Sequence, residues 1–218
     1  FFDEQKAWDW LPDAAVIATP APTHRSIHMA ALKHAVPALI EKPLYVDLPV
    51  SPWPHLLGDR VAYNLRFVAR FKRLRRLIDL STVKTATFTL RCDKSTWPGL
   101  SYESMLLEAS HEIDLALWLL GPATLVGAAS VDDVWMLLLR HNAGALSRIE
   151  LNGCFGGYDR YVSLSSGDHT SMVWLTPEVI EPSYKKELAS FLGGVEFGCN
   201  VPEALAVLAI CEQARKWR

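Results

Sequence analysis

The 218 residues are 50% hydrophobic and 21% charged, enough for one large domain or two small ones around a substantial core. A formal net charge of -2 excludes the broad basic footprint of a nucleic-acid binder and argues against a polybasic membrane contact. No apolar run is long enough to cross a bilayer, and the opening Phe1, Phe2, Asp3, Glu4, Gln5 and Lys6 do not read as a signal peptide.

In chain order, residues 1–10 read as the end of an amphipathic helix. Residues 13–19, DAAVIAT, are apolar and flanked by prolines, the pattern of a buried strand. Thr23 is placed to cap a helix through its hydroxyl, and Ile27, Ala30, Ala31 and Leu32 recur near the helical period up to about Ala35. The run PALIEKP, residues 37–43, follows as a second buried strand, so the succession is a parallel crossover. A proline-rich passage over 48–57 allows a turn or two of helix at most, and VAYNLRF, residues 61–67, is a third strand candidate. Residues 71–79 form a basic amphipathic helix with Leu74, Leu77 and Ile78 inward. Its cluster Arg70, Lys72, Arg73, Arg75 and Arg76 reads as a solvated face, with phosphate contact second.

From Val83 the pattern changes. VKTATFTLR alternates like a strand with one wet face, and a long helix over 102–120 is stopped by Gly121 and Pro122. Strands are expected near 124–130, 135–140, 145–152, 161–165 and 170–175, then helices near 183–192 and 202–217. Consecutive strands followed by helices predict an open antiparallel sheet with helices on one face. The fold class is therefore α/β plus α+β, divided as residues 1–80 and 81–218. Cys92, Cys154, Cys199 and Cys211 lie far apart, which suits reduced, buried thiols in a cytoplasm.

Two stretches carry candidate chemistry. Lys42 ends the second strand, at the sheet edge where open α/β sheets bind ligands; an isolated strand-end lysine would more often simply reach solvent. On the long helix, Glu108, His111 and Asp114 recur one turn apart and share a face with Glu112 close by, which makes a proton relay possible, against the plain alternative of a solvated helix face. Histidine and carboxylates at helical spacing can also ligate zinc or iron, but no second histidine stands at matching spacing, so no metal is expected. His24 and His28, one turn apart on the first helix, read as surface or packing residues.

In combination and order, the ATP-x-x-TH, EKP and SHEID stretches resemble the Gfo/Idh/MocA family of NAD(P)-dependent oxidoreductases, and the likeness runs from DAAVIATPAPTHRSIHMAALKHAVPALIEKP through VAYNLRF and LLEASHEIDLALWLLG to the closing VPEALAVLAICEQARK. The resemblance implies a Rossmann-like parallel sheet, here truncated, and hydride transfer between NAD or NADP and a hydroxyl of a sugar, cyclitol or nucleotide-linked sugar. The wording LLEASHEID leans toward surface-polysaccharide and sialic-acid-like sugar pathways. It also implies roles for Lys42 and His111 at the reacting hydroxyl, with Asp114 or Glu108 orienting the histidine. Cofactor contacts are implied for Thr19, Pro20, Thr23, His24, Glu41, Lys42 and Asn64. A homo-oligomer formed through the antiparallel sheet is expected, with no nucleic-acid or membrane partner.

The family pattern opens with a Gly-rich turn that holds the pyrophosphate, and no G-x-G-x-x-G occurs in the 218 residues. The family's carboxylate four residues before the histidine is Leu107 in this chain, and Glu108 is the nearest substitute. Two readings follow: an oxidoreductase whose complete site needs further residues, or a cofactor-free scaffold or partner subunit derived from one. Binding of NAD(H) separates them.

Overall fold

Two sheets of unequal size organise the chain. The computed structural model describes residues 4–10, 12–49, 53–77, 79–96, 105–108, 110–194 and 198–217. The smaller sheet is parallel, in the order β1 (Ala15–Ile17), β2 (Ala38–Ile40) and β3 (Arg60–Val61). Helix α1 (Glu4–Asp9) precedes it, and α2 (Ala21–Lys33) makes the crossover from β1 to β2. The strands are shorter than their apolar runs because the chain turns into α2 at Thr19 and Pro20. Pro20 occupies the cap position of that helix. The expected Thr23 cap does not form: its hydroxyl donates to Pro20 O at 2.8 Å and meets the Thr19 hydroxyl at 2.7 Å.

Between β2 and β3 the described residues form no helix, as the prolines dictate, and buried polar groups hold the segment instead. Trp53 Nε1 donates to the Tyr45 hydroxyl (2.6 Å), Tyr45 meets His28 Nδ1 (2.6 Å), and His28 Nε2 meets Asp59 Oδ2 (3.0 Å). Asp59 also accepts from the backbone of Ala38 (2.9 Å) and Leu56 (2.6 Å), tying the loop to β2. His28 is fully buried, so of the two readings offered for it packing is the one realised.

VAYNLRF is not the strand its composition suggests. Only Val61 pairs within the sheet; a tight turn brings Tyr63 N to Val61 O at 2.8 Å, and Asn64–Phe67 is a short 3-10 helix. The buried side chains of Asn64 and Arg66 find their partners across the molecule in this conformation. Helix α3 (Ala69–Leu77) follows with Leu74 against the core, whereas Ile78 and the Leu77 side chain lie outside the described residues.

The larger sheet comprises β4 (Thr85–Asp93), β5 (Ala123–Val131), β6 (Val134–His141), β7 (Leu146–Asn152), β8 (Cys154–Ser166) and β9 (His169–Trp174), in the order β5-β6-β7-β4-β8-β9. It is mixed, not purely antiparallel: β4 runs parallel to β7 and antiparallel to β8. β4 lies between two strands that are consecutive in sequence, and their connection at Gly153 crosses its end, where Lys94 N donates to Gly153 O at 2.9 Å. A Cβ on Gly153 would come within 3.1 Å of Asp133 Cβ, so any larger residue at the crossing would have to displace that side chain.

One face of this sheet, with Phe88, Leu90, Leu137, Ile149 and Val162, is buried. It packs on α4 (Met105–Glu108), α5 (Ser110–Leu120) and α7 (Val201–Arg215). The expected long helix is thus two described pieces, and its predicted start at 102–104, with Ala109, lies outside the described residues. Helix α6 (Pro177–Leu192) begins well over one turn before the expected 183, with Pro182 inside it. Asn200 and Glu203 close a capping box at the start of α7. Cys92, Cys199 and Cys211 are buried as expected, but Cys154 is exposed.

Candidate active site

β2 delivers Lys42 to the gap between the two sheets. The strand is fixed on both sides, Glu41 N donating to Ile17 O and Ala62 N to Ile40 O, each at 2.8 Å, and the Lys42–Pro43 peptide is cis. Lys42 Nζ reaches the last residue of α4, pairing with Glu108 Oε2 at 2.5 Å and donating to Glu108 O at 3.3 Å. The Glu108 side chain is 4% exposed and that of Lys42 19%, so the pair is largely withdrawn from water while the ammonium keeps an open side. This pairing spans 66 residues of sequence and joins the two stretches singled out above.

One turn further on, His111 packs edge-on against Tyr63, with ring centroids 5.5 Å apart. Burial, with the positive charges of Arg160 and Lys42 adding to it, holds the His111 pKa well below its usual value, so the imidazole is neutral at neutral pH. Its Nδ1 is buried without a hydrogen-bond partner. Arg160, from the buried face of β8, donates through Nε to Glu112 Oε1 at 2.6 Å. Two ion pairs, Lys42 with Glu108 and Arg160 with Glu112, therefore flank the histidine.

Asp114 takes a different place from the one expected. It does not meet His111 but receives Arg66 through Nη2 (2.6 Å) and Nε (2.9 Å), a bidentate buried pair, while Arg66 Nη1 reaches Glu203 at 2.8 Å. Burial raises the Asp114 carboxyl against the opposing pull of Arg66. Asn64 donates to Ser183 Oγ at 2.9 Å, bracing the 3-10 turn on α6. One helical turn beyond Ser183, Glu187 is buried; burial first, then the carboxylates of Glu41 and Asp114, push its pKa up to about 8.

Of the residues expected at a cofactor, Thr19, Pro20, Thr23 and His24 stand after β1 and Glu41 and Lys42 after β2, whereas Asn64 is turned toward Ser183. Thr19 and Pro20 are exposed, α2 opens without a side-chain cap, and His24 bridges Thr19 O (2.8 Å) and Pro43 O (2.9 Å), fastening this end to the Lys42 turn. This set fits the nicotinamide end of a dinucleotide, with exposed hydroxyls and uncapped helix amides beside Lys42. It offers no cradle for the pyrophosphate, since no glycine precedes Gly58 in the sequence. Among the described residues no group of three or more His, Cys, Asp or Glu side chains could hold a metal ion.

Sequence reasoning missed Arg160, Tyr63 and Glu187. Arg160 sits among alternating residues of a strand and Glu187 on an ordinary charged helix, and nothing local distinguishes either. Tyr63 belongs to a stretch whose composition reads as strand.

Known proteins resemble this chain in sequence and in fold. A family profile described as an oxidoreductase family with an NAD-binding Rossmann fold, GFO_IDH_MocA, matches residues 2–50. An inositol 2-dehydrogenase of Streptomyces avermitilis is 34% identical over 121 residues, 50% of this chain and 35% of that protein. Inositol 2-dehydrogenase 1 of Mycolicibacterium vanbaalenii is 28% identical over 200 residues, 87% of this chain and 54% of that protein. The chain thus spans between about a third and a little over half of the length of these relatives. The crystal structure of GenD2 from gentamicin A biosynthesis, in complex with NAD, superimposes with a TM-score of 0.78 at 18% identity, covering 99% of this chain and 79% of that one, a likeness of fold. Residues 2–50 thus match the Gfo/Idh/MocA oxidoreductase profile, and the fold of the whole chain is like that of the solved dehydrogenases it superimposes on.

Proposed function

We propose that this chain carries the substrate-side half of a dehydrogenase site that transfers hydride between NAD or NADP and a hydroxyl of a sugar or cyclitol. The observation that carries the reading is the contact of Lys42 with Glu108 beside a buried, neutral His111. The inositol dehydrogenases among the relatives make cyclitols the first substrates to try, ahead of the nucleotide-linked sugars of polysaccharide pathways.

Oxidation of a carbinol requires its hydroxyl proton to leave as hydride departs from the same carbon. Lys42 donates to the carbinol oxygen from its open side and stabilises the negative charge that develops there, while Glu108 fixes the ammonium in place. His111, uncharged at neutral pH, accepts the hydroxyl proton, a contribution typically worth about 10²–10⁴-fold in rate. Thr19, Pro20, Thr23, Glu41 and Lys42 are the contacts proposed for the nicotinamide end, and His24 and Asn64, proposed with them, act from buried positions through their bonds to Thr19, Pro43 and Ser183. When bound, the nicotinamide supplies the hydride acceptor. A second part of the reading concerns assembly: the uncovered face of the larger sheet pairs with a second copy of the chain.

Energy transfer from the eight tryptophans to NADH and NADPH tests cofactor binding, and absorbance of reduced nicotinamide with myo-inositol and NAD tests turnover. Saturable binding, with turnover abolished by Lys42→Ala in a folded protein, is the expected result. Turnover that persists in Lys42→Ala sinks the lysine's role. Absence of binding leaves the cofactor-free scaffold.

A further inference from the structure

Glu112 and Arg160 are joined by one hydrogen bond where two are usual. A guanidinium meeting a carboxylate side-on closes two parallel bonds, through Nε and a terminal nitrogen. Here Arg160 Nε meets Glu112 Oε1 at 2.6 Å and the Tyr158 hydroxyl lies against the same guanidinium, but Arg160 Nη2 and Glu112 Oε2 are both buried and neither closes a hydrogen bond of ordinary geometry. His111 Nδ1, in the adjacent residue, is a third buried polar atom without one. The other such atoms away from this helix start, in Trp8, Arg25 and Trp135, are scattered over the molecule. Buried polar groups are almost always satisfied, so an open donor and an open acceptor side by side next to the proposed acid-base histidine call for an occupant.

The chemistry of the two atoms restricts what that occupant is. One is an obligate donor and the other an acceptor, and a hydroxyl satisfies both at once by donating to Glu112 Oε2 and accepting from Arg160 Nη2. The pair carries no net charge. A carboxylate or phosphate would face the Glu112 oxygen, and an ammonium would face the guanidinium.

We propose that Arg160 and Glu112 form a hydroxyl-reading subsite beside His111, selecting neutral polyols that carry a free hydroxyl next to the carbinol being oxidised. This rests on the dehydrogenase reading above and adds to it a class of substrate. The pair touches the neighbouring hydroxyl, not the reacting one, so its contribution is to specificity.

The test compares myo-inositol with 1,3-dideoxy-myo-inositol, in which both hydroxyls flanking carbon 2 are gone, in the wild type and in Glu112→Gln/Arg160→Gln, which removes both charges together. A site built to bond a hydroxyl rejects an analogue lacking it, so the wild type should favour myo-inositol by at least about 10³-fold in kcat/KM. The double variant should lower that ratio below about 10-fold by losing rate on myo-inositol alone. A purely structural role would depress both compounds equally and leave the ratio intact. A second readout does not depend on turnover or on the variant folding: myo-inositol, and not the dideoxy compound, should shift the Arg160 Nε–H signal in the NMR spectrum of the wild type. Turnover with an unchanged ratio in a folded double variant sinks the subsite and keeps the dehydrogenase reading. A shifted Arg160 signal with no turnover keeps the subsite and sinks hydride transfer, and no binding and no turnover sinks both.

Discussion

In the larger sheet Phe88, Leu137 and Ile149 are fully buried in an apolar layer beneath α5 and α7, and hydrophobic burial dominates its closure. The smaller sheet has only two or three residues per strand, too little apolar area to hold itself. Its surroundings rely on charge and hydrogen bonding: Asp59 gathers the loop after β2, and Arg66 joins the 3-10 turn to Asp114 of α5 and Glu203 of α7. The difference explains where chemistry is possible. Titratable groups such as Lys42, Glu108 and His111 collect at the seam, where the polar half meets the apolar half, and the apolar half supplies the dry wall.

The most direct attack on this contrast is Asp59→Ala. It leaves His28 Nε2 and the amides of Ala38 and Leu56 without their acceptor in a fully buried place, and we expect a loss of about 4 kcal/mol. Urea denaturation measures the loss, and hydrogen exchange locates it: the Ala38 and Leu56 amides should open well before those of β6 and β7. A loss below about 1 kcal/mol would mean that the small sheet stands by packing after all.

Much of the seam was legible because it depends on residue order. EKP and SHEID, taken in combination and order, point to Lys42 and His111, and the Glu108 that stands next to position 107 is the residue Lys42 contacts. Other parts depend on partners far away in sequence. The pairing of Arg160 with Glu112 spans 48 residues, and no local pattern announces it. Likewise VAYNLRF has the composition of a strand, yet its course is set by Asn64 and Arg66 seeking Ser183 and Asp114. The parallel pairing of β4 with β7 was equally hidden, since alternation fixes which side chains face inward and not which strand lies alongside.

Glu187 sharpens the comparison from the other side, as a carboxyl buried at the seam without a compensating partner of its own. Its pKa is pushed up to about 8 in the folded protein, from an ordinary 4.5. Between these values the folded state holds a proton that the unfolded chain has released, so stability falls as pH rises through that window. Below it Glu187 and glutamine are nearly equivalent. Above it Glu187→Gln should be more stable than the wild type by about 3 kcal/mol. Urea midpoints at pH 5 and pH 9 check this, and a variant whose advantage is the same at both would show that Glu187 is charged throughout.

The smallest effect on the fold of one chain is expected on the outer face of the larger sheet, yet it should change the assembly most. Trp174 packs at a tilt against Tyr161, 4.9 Å between ring centroids, and Met136, Leu138 and Met172 are between 39% and 51% exposed on the same face. The register places Met136, Glu150, Thr89, Tyr161 and Trp174 in one row across five strands, and Leu138, Arg148, Thr87, Ser163 and Met172 in the next. Apolar residues at the flanks thus alternate with charged and hydroxyl groups at the centre, the mixture suited to a self-complementary face with satisfied polar pairs. Leu138→Lys/Met172→Lys adds like charges to both partners of such a pair while disturbing nothing in the buried layer. Far-UV circular dichroism should therefore be unchanged. Light scattering should move from a multiple of 24.4 kDa to that mass itself, and a wild type that is already monomeric at high concentration would leave this face to solvent.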